Sequence, residues 1–449
     1  MKAVPKRIWL AFVAATAMTA GLQSIEAQPA PPQIIILSKG EQYQFAGVTY
    51  DTINVPPPFR KYVGTRVTQF NEGQKFETPQ LFVWFHWVET NVPSTRTTPT
   101  LVARLADQSG VERGALTYPA FTRDVTWDYA EFPVIPRRSQ MLQCNFYPID
   151  DRSPGPVASI SFTNPLYGNF PEWKSEPLPA VKRVGDLEVR LEDLMTGIEL
   201  SGTPPVLANG KQGISFRPAQ EGTRLATFFD VSLTSARGTN EQWVVQSAEL
   251  SDATGNVLAS PSNIGSSGDN VSPMTFRGEY RLTIPGTLWP DEAAWRLKLE
   301  LKRKSGYSSE EFVTFHNVPV PKVGTTNFPP ITNTVGGVQL VLKEFVENGD
   351  RTNVRYPRGT NDNFSVIDRT PETLVAVELP GHPEGVAVDF VKLTTDTSEQ
   401  QQKGGNGWRP FYRAAYLRFI PTNVASVDIT WVVQKTRSVE FLVKPPLQN

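Results

Sequence analysis

The side chains that most often carry catalysis are scarce in this sequence of 449 residues, which contains one cysteine and three histidines. The histidines are His86, His316 and His382, and each lies in a different part of the chain. A histidine acts as a general base only with a nucleophile and an orienting group within reach. The sequence contains no GxSxG, HExxH or phosphate-loop motif that would supply such partners. We therefore expect structural or exposed histidines and no Cys/His metal centre.

Carboxylates offer a second kind of chemistry. Glycoside hydrolysis needs two carboxyl groups about 5–9.5 Å apart. Adjacent pairs occur at Asp150-Asp151, Asp291-Glu292 and Glu310-Glu311. Neighbours in a strand point to opposite faces, and in turns we expect them to be solvated, as we do for the basic run Lys302-Arg303-Lys304. Asp252 and Asp269 are weak calcium candidates, because loop carboxylates suit that cation. No cofactor is expected.

Aromatic residues are the best binding candidates. Trp173 lies in a proline-rich stretch, and a second group follows a Gly/Gln-rich segment and contains Trp408, Phe411 and Tyr412. Exposed Trp and Tyr stack on sugar rings or anchor protein partners. The alternative is burial, with Trp173 packed between a linker and a neighbouring module.

The elements that position these residues repeat three times along the chain. An aromatic-rich segment ending in Ile-Pro occurs at 127–136, 276–285 and 412–421. An alternating apolar segment follows each time, and then a short apolar run at 160–162, 312–315 and 439–443. The alternating residues are Leu142, Cys144 and Phe146; then Trp295, Leu297, Leu299 and Leu301; and then Val427, Ile429, Trp431 and Val433.

Strict alternation is the pattern of half-buried strands, so we predict an all-β protein. The repeats predict three β-sandwich modules, at 33–165, 184–318 and 336–446, joined by Pro-rich linkers at 166–183 and 319–335. The sandwich type stays open between immunoglobulin-like, C2-like and jelly-roll. Cys144 is expected to be a buried, inert thiol.

Each module also contains a long polar insertion, at 106–124, 251–274 and 394–407. Long loops on a rigid β scaffold often carry binding, although they can equally be simple connections. These insertions are therefore candidate contact surfaces.

The first 27 residues have the pattern of a secretory signal. Lys2, Lys6 and Arg7 precede an apolar stretch at 8–22, and Ala27 offers a small residue for cleavage. We therefore expect an exported protein that is periplasmic, cell-surface or extracellular, with no transmembrane segment after signal removal. An uncleaved signal anchor is the alternative.

Charge and repetition together limit the function. The chain has 44 basic and 45 acidic residues and a net charge of −1, which excludes the basic surface of a nucleic-acid binder. The sequence favours a non-catalytic module array with a binding, adhesive or scaffolding role, whose partner is a protein or polysaccharide of the envelope. A carbohydrate-binding protein that uses the exposed aromatics is the first alternative, and a hydrolase without a linear motif is the second.

Overall fold

The computed structural model describes residues 34–36, 42–50, 80–88, 101–114, 127–148, 155–156, 158–199, 225–235, 238–239, 242–259, 279–322, 328–348, 372–381, 383–396, 398–400, 412–418, 420 and 423–444. These ranges form six small antiparallel sheets, and their helical structure is a single 3₁₀ turn at Ser309–Glu311. No helix in the described ranges is long and apolar enough to cross a membrane. The predicted all-β class is confirmed, whereas the predicted signal lies outside the described residues.

The first two sheets share one hydrophobic core, and we call them the first sheet pair. Their orders are β1-β2-β3-β6 and β5-β4-β7-β8. The core contains Phe85 and Phe132 from one sheet and Leu142, Cys144 and Phe146 from the other. The strands are β1 (Ile34–Ile36), β2 (Gln42–Tyr50), β3 (Leu81–Val88), β4 (Leu101–Ala106), β5 (Glu112–Gly114), β6 (Trp127–Phe132), β7 (Met141–Pro148) and β8 (Ala158–Thr163).

The second sheet pair repeats this order. Its strands are β9 (Ala180–Val184), β10 (Leu187–Glu199), β11 (Leu225–Ser235), β12 (Gly238–Thr239), β13 (Trp243–Asp252), β14 (Val257–Ala259), β15 (Glu279–Pro285) and β16 (Trp295–Arg303). One sheet runs β12-β11-β10-β9, with β15 also paired to β11, and the other begins β14-β13-β16. Trp295, Leu297, Leu299 and Leu301 are buried in the shared core, as their alternation predicts.

The third sheet pair has the same plan. Its strands are β17 (Phe312–Pro319), β18 (Ile331–Val335), β19 (Val338–Asn348), β20 (Glu372–Glu378), β21 (Val386–Thr394), β22 (Glu399–Gln400), β23 (Tyr412–Arg418) and β24 (Ser426–Lys435). One sheet runs β18-β19-β20-β23, and the other runs β17-β24-β21-β22. The predicted core residues Val427, Ile429, Trp431 and Val433 are buried.

The last strands of the second and third sheet pairs are exchanged. Strand β17 follows β16 in sequence but pairs with β24 of the third pair. Strand β25 (Arg437–Val443) follows β24 but pairs with β16 of the second pair, from Trp295 opposite Val443 to Leu301 opposite Arg437. In the first pair the equivalent strand, β8, pairs with its own neighbour β7. These pairings cross the boundary that the sequence predicts between 184–318 and 336–446.

The connection between β24 and β25 differs from the one between β7 and β8. The chain between β7 and β8 contains Asp150, Asp151, Pro154 and Gly155, all residues that favour turns. Between β24 and β25 stands the single residue Thr436, and 429–443 contains no Gly, Pro, Asn or Asp. A two-residue hairpin turn needs residues that accept a positive φ. Because none is present, β24 does not turn back, and the chain continues in an extended form into the neighbouring sheet.

The two Pro-rich segments are not confirmed as linkers. The last four residues of the first segment lie in β9, and the last five of the second form β18; each of these strands starts a sheet. Two-residue turns then lead into β10 and β19, at Gly185-Asp186 and Gly336-Gly337. Gly185, Gly336 and Gly337 have φ values of 62°, 55° and 82°, which such hairpins require.

Candidate functional site

Trp173 packs against the second sheet pair. It is half-buried, and the guanidinium carbon of Arg296 on β16 lies 5.5 Å from the centroid of its ring. Arg296 is itself held by a hydrogen bond from its Nε to Ser251 Oγ of 3.1 Å. This position matches the alternative of packing against a neighbouring module. A role in glycan binding stays a prediction.

Tyr412 begins β23 and is also half-buried. It packs with Val346, Leu374, Ala376 and Ala414, which form a small apolar cluster separate from the main core of the third sheet pair. Trp408 and Phe411 lie outside the described residues, so the predicted aromatic group stays a prediction as a whole.

Asp252 organises a turn. Its Oδ1 accepts hydrogen bonds from Thr254 N (2.9 Å), Thr254 Oγ1 (2.7 Å) and Asn256 N (3.1 Å), and its Oδ2 accepts one from Asn256 Nδ2 (2.8 Å). The side chain is buried. A calcium ligand must offer lone pairs to the cation, whereas here donors of the same loop occupy them. Asp269 lies outside the described residues, and the described part of the chain holds no group of three or more potential metal ligands.

The same turn occurs in the first sheet pair, where Asp107 Oδ1 accepts hydrogen bonds from Ser109 N, Ser109 Oγ and Val111 N at 2.7–3.0 Å. Both turns have Asp, then Ser or Thr two residues later, then Gly with positive φ, Gly110 at 84° and Gly255 at 93°. The polar insertions predicted at 106–124 and 251–274 therefore begin with a tight turn and a short strand. The shared pattern Asp-x-Ser/Thr-Gly is a signal that sequence reasoning missed.

These two turns meet at the contact between the first and second sheet pairs, which we call the first junction. Asn256 Oδ1 accepts a hydrogen bond from Ile135 N (2.9 Å), and Asn256 Nδ2 donates one to Ile135 O (2.8 Å). Ile135 belongs to the first core, but its neighbour Val134 is buried in the second core. Consecutive residues thus connect both cores.

Two arginines reinforce the first junction. Arg137 donates to Thr254 O (2.8 Å) and to Tyr50 OH (2.9 Å). Arg138 forms a two-pronged ion pair with Glu292, at 2.9 Å from Nε to Oε1 and 3.1 Å from Nη2 to Oε2. Glu292 is buried, which corrects the expectation of solvation for that residue, whereas Asp291 is exposed as expected. Burial raises the pKa of Glu292, while the hydrogen bond from Arg138 opposes that shift.

A further cluster at the first junction surrounds Trp289, whose Nε1 donates to Asp107 Oδ2 at 2.5 Å. The guanidinium carbon of Arg113 lies 5.8 Å from the centroid of the Trp289 ring. Burial acts to raise the pKa of Asp107, but hydrogen bonds from Ser109, Trp289 and Val111 outweigh it and lower that pKa. Burial and the nearby charge of Asp107 raise the pKa of Asp291.

The contact between the second and third sheet pairs, the second junction, is built on the exchanged strands. Gln434 of β24 is buried and pairs with the backbone of Arg303, accepting from its N and donating to its O at 2.8 Å each. Lys302 forms an ion pair with Asp389 of β21, and Arg303 forms one with Glu311. Lys302 and Arg303 are therefore not part of the solvated hairpin tip that their composition predicts, whereas Lys304 is exposed as expected.

Arg437, the first residue of β25, completes the second junction. Its guanidinium carbon lies 4.1 Å from the centroid of the Trp243 ring. Its Nη1 donates to Val184 O (3.2 Å) and to Asp186 Oδ1 (2.7 Å), and so it holds the turn between β9 and β10. A charged side chain stacked on a buried tryptophan fixes the start of β25.

His316 and Cys144 take no part in these networks. His316 is exposed, and its Nδ1 lies 2.9 Å from Asp428 Oδ2. Hydrogen bonds from Asn317 N and His316 lower the pKa of Asp428. Cys144 is fully buried, as expected, and burial raises the pKa of its thiol. The side chain of His86 and the whole of His382 lie outside the described residues.

Comparisons with known proteins do not assign this chain to a family. No family model matches it, and no curated protein matches it. Among solved structures, the crystal structure of the conserved domain protein from Bacillus anthracis matches with 11% sequence identity and a TM-score of 0.16. That match covers 61% of this chain and 92% of the other. A likeness this weak carries no argument about fold or function.

Proposed function

We propose that this chain is an exported, non-catalytic scaffold of three tandem β-sandwich modules, which holds partners in the cell envelope or outside the cell at a fixed spacing. The observation that carries the proposal is the exchange of β17 and β25 between neighbouring sheet pairs. A binding protein whose modules swivel freely has no need of such an exchange.

The strand order favours the immunoglobulin-like type among the three sandwich types. In the first sheet pair, β2, β3 and β6 are neighbours in one sheet, and β4, β7 and β8 are neighbours in the other. This is the arrangement of strands A, B and E opposite C, F and G in immunoglobulin domains. The second and third pairs follow it once the exchanged strand is placed in the position of G.

The second junction is stiff because motion there requires breaking two sheets. Strand β25 contributes Val439, Phe441 and Val443 to the second core, and β17 contributes Val313 and Phe315 to the third. Domains joined by a simple linker usually move relative to one another, unless their interface is large and hydrophobic. Here the interface includes strands that belong to both cores, so we expect one fixed geometry.

The rigidity is tested by electron paramagnetic resonance distance measurements on the full chain. Spin labels at Arg190→Cys on β10 and Thr332→Cys on β18, both exposed, report on the second junction. Native Cys144 is buried and stays unlabelled. We expect one narrow distance distribution, whereas a broad one would contradict a fixed spacing.

The binding role is tested with the same protein. We expect photo-crosslinkers at the exposed residues Tyr167, Val181 and Phe312 to capture defined envelope partners in the source cells. Co-sedimentation with insoluble polysaccharides, peptidoglycan included, is the opposing measurement. Saturable binding that a soluble glycan displaces would replace the scaffold with the carbohydrate-binding alternative. Turnover of a polymer that is lost on changing one carboxylate would establish the hydrolase.

A further inference from the structure

The strand exchange at the second junction divides the chain into two bodies. We call 34–319, which ends with β17, the N-terminal body, and 331–443, which ends with β25, the C-terminal body. Residues 320–330 are the covalent connection between them, and a chain with one cysteine has no internal disulfide to add another. The two bodies are otherwise held together by strand pairings and side-chain contacts.

The N-terminal body receives β25 from the C-terminal body. One edge of β25 pairs with β16. On β25, Leu442 O accepts a hydrogen bond from Glu176 N (2.5 Å), and Leu442 N donates one to Glu176 Oε1 (3.4 Å). Val439, Phe441 and Val443 are buried in the second core. The N-terminal body therefore contacts both the backbone and the apolar face of β25.

The C-terminal body receives β17 in return. Strand β17 pairs with β24, and Asn333 Nδ2 of β18 donates a hydrogen bond to Thr314 O of β17 (3.1 Å). Val313 and Phe315 of β17 are buried in the third core. Each body thus completes its core with a strand of the other body.

Side chains make this exchange specific. Arg437, the first residue of β25, donates to Asp186 Oδ1 (2.7 Å) and lies 4.1 Å from the centroid of the Trp243 ring, both in the N-terminal body. Lys302 of the N-terminal body forms an ion pair with Asp389 of the C-terminal body. A strand of an unrelated protein lacks these partners. The occupant that matches either body is therefore another copy of this chain.

A second copy offers the same strands without loss of any of these contacts. If two chains exchange their C-terminal bodies, each N-terminal body still receives one β25 and returns one β17. Only the connection between the bodies differs from that in a single chain. Such an exchange is closed and two-fold symmetric, so it leaves neither strand position open to a further copy.

We propose that two copies of this chain form a reciprocal dimer, in which each N-terminal body binds the C-terminal body of the other chain. The dimer and the monomer contain the same strand pairings, so the concentration of chains during folding decides which one forms. Neither form converts to the other without separating β25 from β16 and β17 from β24. The dimer therefore persists on dilution.

This inference goes beyond the proposed scaffold, because it names a second copy as a partner. From Pro319 to Ile331 the chain spans at most about 40 Å, at roughly 3.3–3.6 Å per residue. In the dimer each connection runs from one second junction to the other. The two junctions therefore lie within that distance, and the dimer presents two scaffolds in one assembly.

Crosslinking between two differently substituted copies tests the dimer. Lys298 of β16 lies opposite Glu440 of β25, and neither is buried. One full-length copy carries Lys298→Cys and the other carries Glu440→Cys; both are made in the same cells and treated with a short bis-maleimide reagent. We expect a covalent product of twice the chain mass. With equal amounts and random pairing, about half of the dimers are mixed, and each mixed dimer has one site where both cysteines meet.

Two controls separate exchange from chance association. A copy that carries both Lys298→Cys and Glu440→Cys must crosslink, whichever chain supplies β25. Gln143 of β7 and Ser161 of β8 lie opposite each other in the first sheet pair, which keeps its own last strand. Separate copies with Gln143→Cys and Ser161→Cys should therefore give no product of twice the chain mass.

Light scattering supplies a second measurement, because the isolated dimer should keep its mass after about a hundredfold dilution. The dimer is wrong if the separate Lys298→Cys and Glu440→Cys copies give no product of twice the mass while the double variant crosslinks within one chain. An equal product from the control pair, or loss of mass on dilution, also overturns it. These results leave the proposed scaffold intact, whereas a double variant that does not crosslink contradicts the exchange itself and with it both proposals.

Discussion

At the residue scale, the first junction depends on a buried carboxylate with one strong partner. The side chain of Glu292 is 6% exposed, and Arg138 reaches it with two nitrogen atoms. Arg138 also donates to the backbone oxygens of Phe170 and Pro171 at 3.1 and 2.8 Å. A single guanidinium thus connects the first sheet pair, the Pro-rich segment and the second sheet pair.

Removing that guanidinium should destabilise the protein in a pH-dependent way. In Arg138→Ala, Glu292 is left buried without its partner, which typically costs about 3–5 kcal/mol. The raised pKa of Glu292 rises further without Arg138, so protonation relieves the loss at low pH and the cost grows as the pH increases. Chemical denaturation at several pH values measures this trend.

The ion pair of Arg183 and Glu188 supplies the control, because its arginine side chain is 80% exposed. Arg183→Ala should change the free energy of unfolding by less than about 1 kcal/mol at any pH. An equal loss in both variants would show that the burial of Glu292 is unimportant.

The sequence predicts the burial of a residue when the alternation within its own strand determines it. It does not predict burial that depends on contacts with elements distant in sequence. Alternation alone identifies Trp295, Leu297, Leu299 and Leu301 as buried, because the period of a strand sets their face. Glu292 looks like half of a solvated acidic pair, because its environment is made by Arg138, which lies far from it in sequence. The environment of Lys302 is made in the same way by Asp389.

At the element scale, the last strands of the three repeats, β8, β17 and β25, share a pattern of buried residues that makes an exchange possible. Each of these strands contributes two buried side chains: Ile160 and Phe162 on β8, Val313 and Phe315 on β17, and Val439 and Phe441 on β25. Each strand therefore offers an aliphatic residue and then a phenylalanine to a core. This shared pattern is what lets a neighbouring sheet accept the strand of another repeat.

The exchange predicts that Phe→Ala at three equivalent positions destabilises different sheet pairs. Phe→Ala in a core typically costs about 3–5 kcal/mol. Phe441→Ala should lower the hydrogen-exchange protection of β16 in the second sheet pair, although residue 441 follows the third pair in sequence. Phe315→Ala should lower the protection of β24 in the third pair.

Phe162→Ala is the matched control, because β8 pairs within its own sheet pair. Its effect should appear in β7 and stay within the first pair. Loss of protection in β24 after Phe441→Ala, with β16 unaffected, would contradict the exchange.

The sequence identifies these strands but does not assign their partners. The runs at 160–162, 312–315 and 439–443 are all recognised as strands that end a repeat, and repetition suggests that each completes its own module. For β25, the feature that distinguishes its connection is the absence of residues that permit a tight turn near Thr436. A comparison of turn residues between the repeats could have revealed that β25 leaves its own sheet pair. It gives no such signal for β17, because Gly306, with a φ of 71°, lies between β16 and β17.

At the scale of the whole molecule, the second and third sheet pairs should unfold together. Each has a core that includes a strand from the far side of the second junction. We expect calorimetry to show one transition for these two pairs, because neither core is complete without the other. The first pair, joined by side-chain contacts, should give a separate transition.

A chain that stops after Lys435 tests this dependence. It lacks Val439, Phe441 and Val443, whose loss amounts to about 6–15 kcal/mol at roughly 2–5 kcal/mol each. That is comparable with the whole stability of a typical domain, about 5–15 kcal/mol. It also leaves the backbone edge of β16 unpaired, and open edges favour association between chains.

We therefore expect loss of the shared transition, together with self-association that increases with concentration, both visible by calorimetry and light scattering. A chain that stops after Lys444 retains β25 and should behave like the full sequence. A stable, monomeric product ending at Lys435 would show that β25 is dispensable.

The exchanged strand β25 also delays the completion of the second core during synthesis of the chain. A chain made from its N-terminus produces β16 first and β25 roughly 130 residues later, which at about 5–20 residues per second is a delay on the order of ten seconds. During that interval the second core lacks its final strand, so a compact product cannot form early. Such a delay would help a chain that must cross a membrane unfolded. Its last residues must be synthesised before the second and third sheet pairs, about two thirds of the protein, can complete folding.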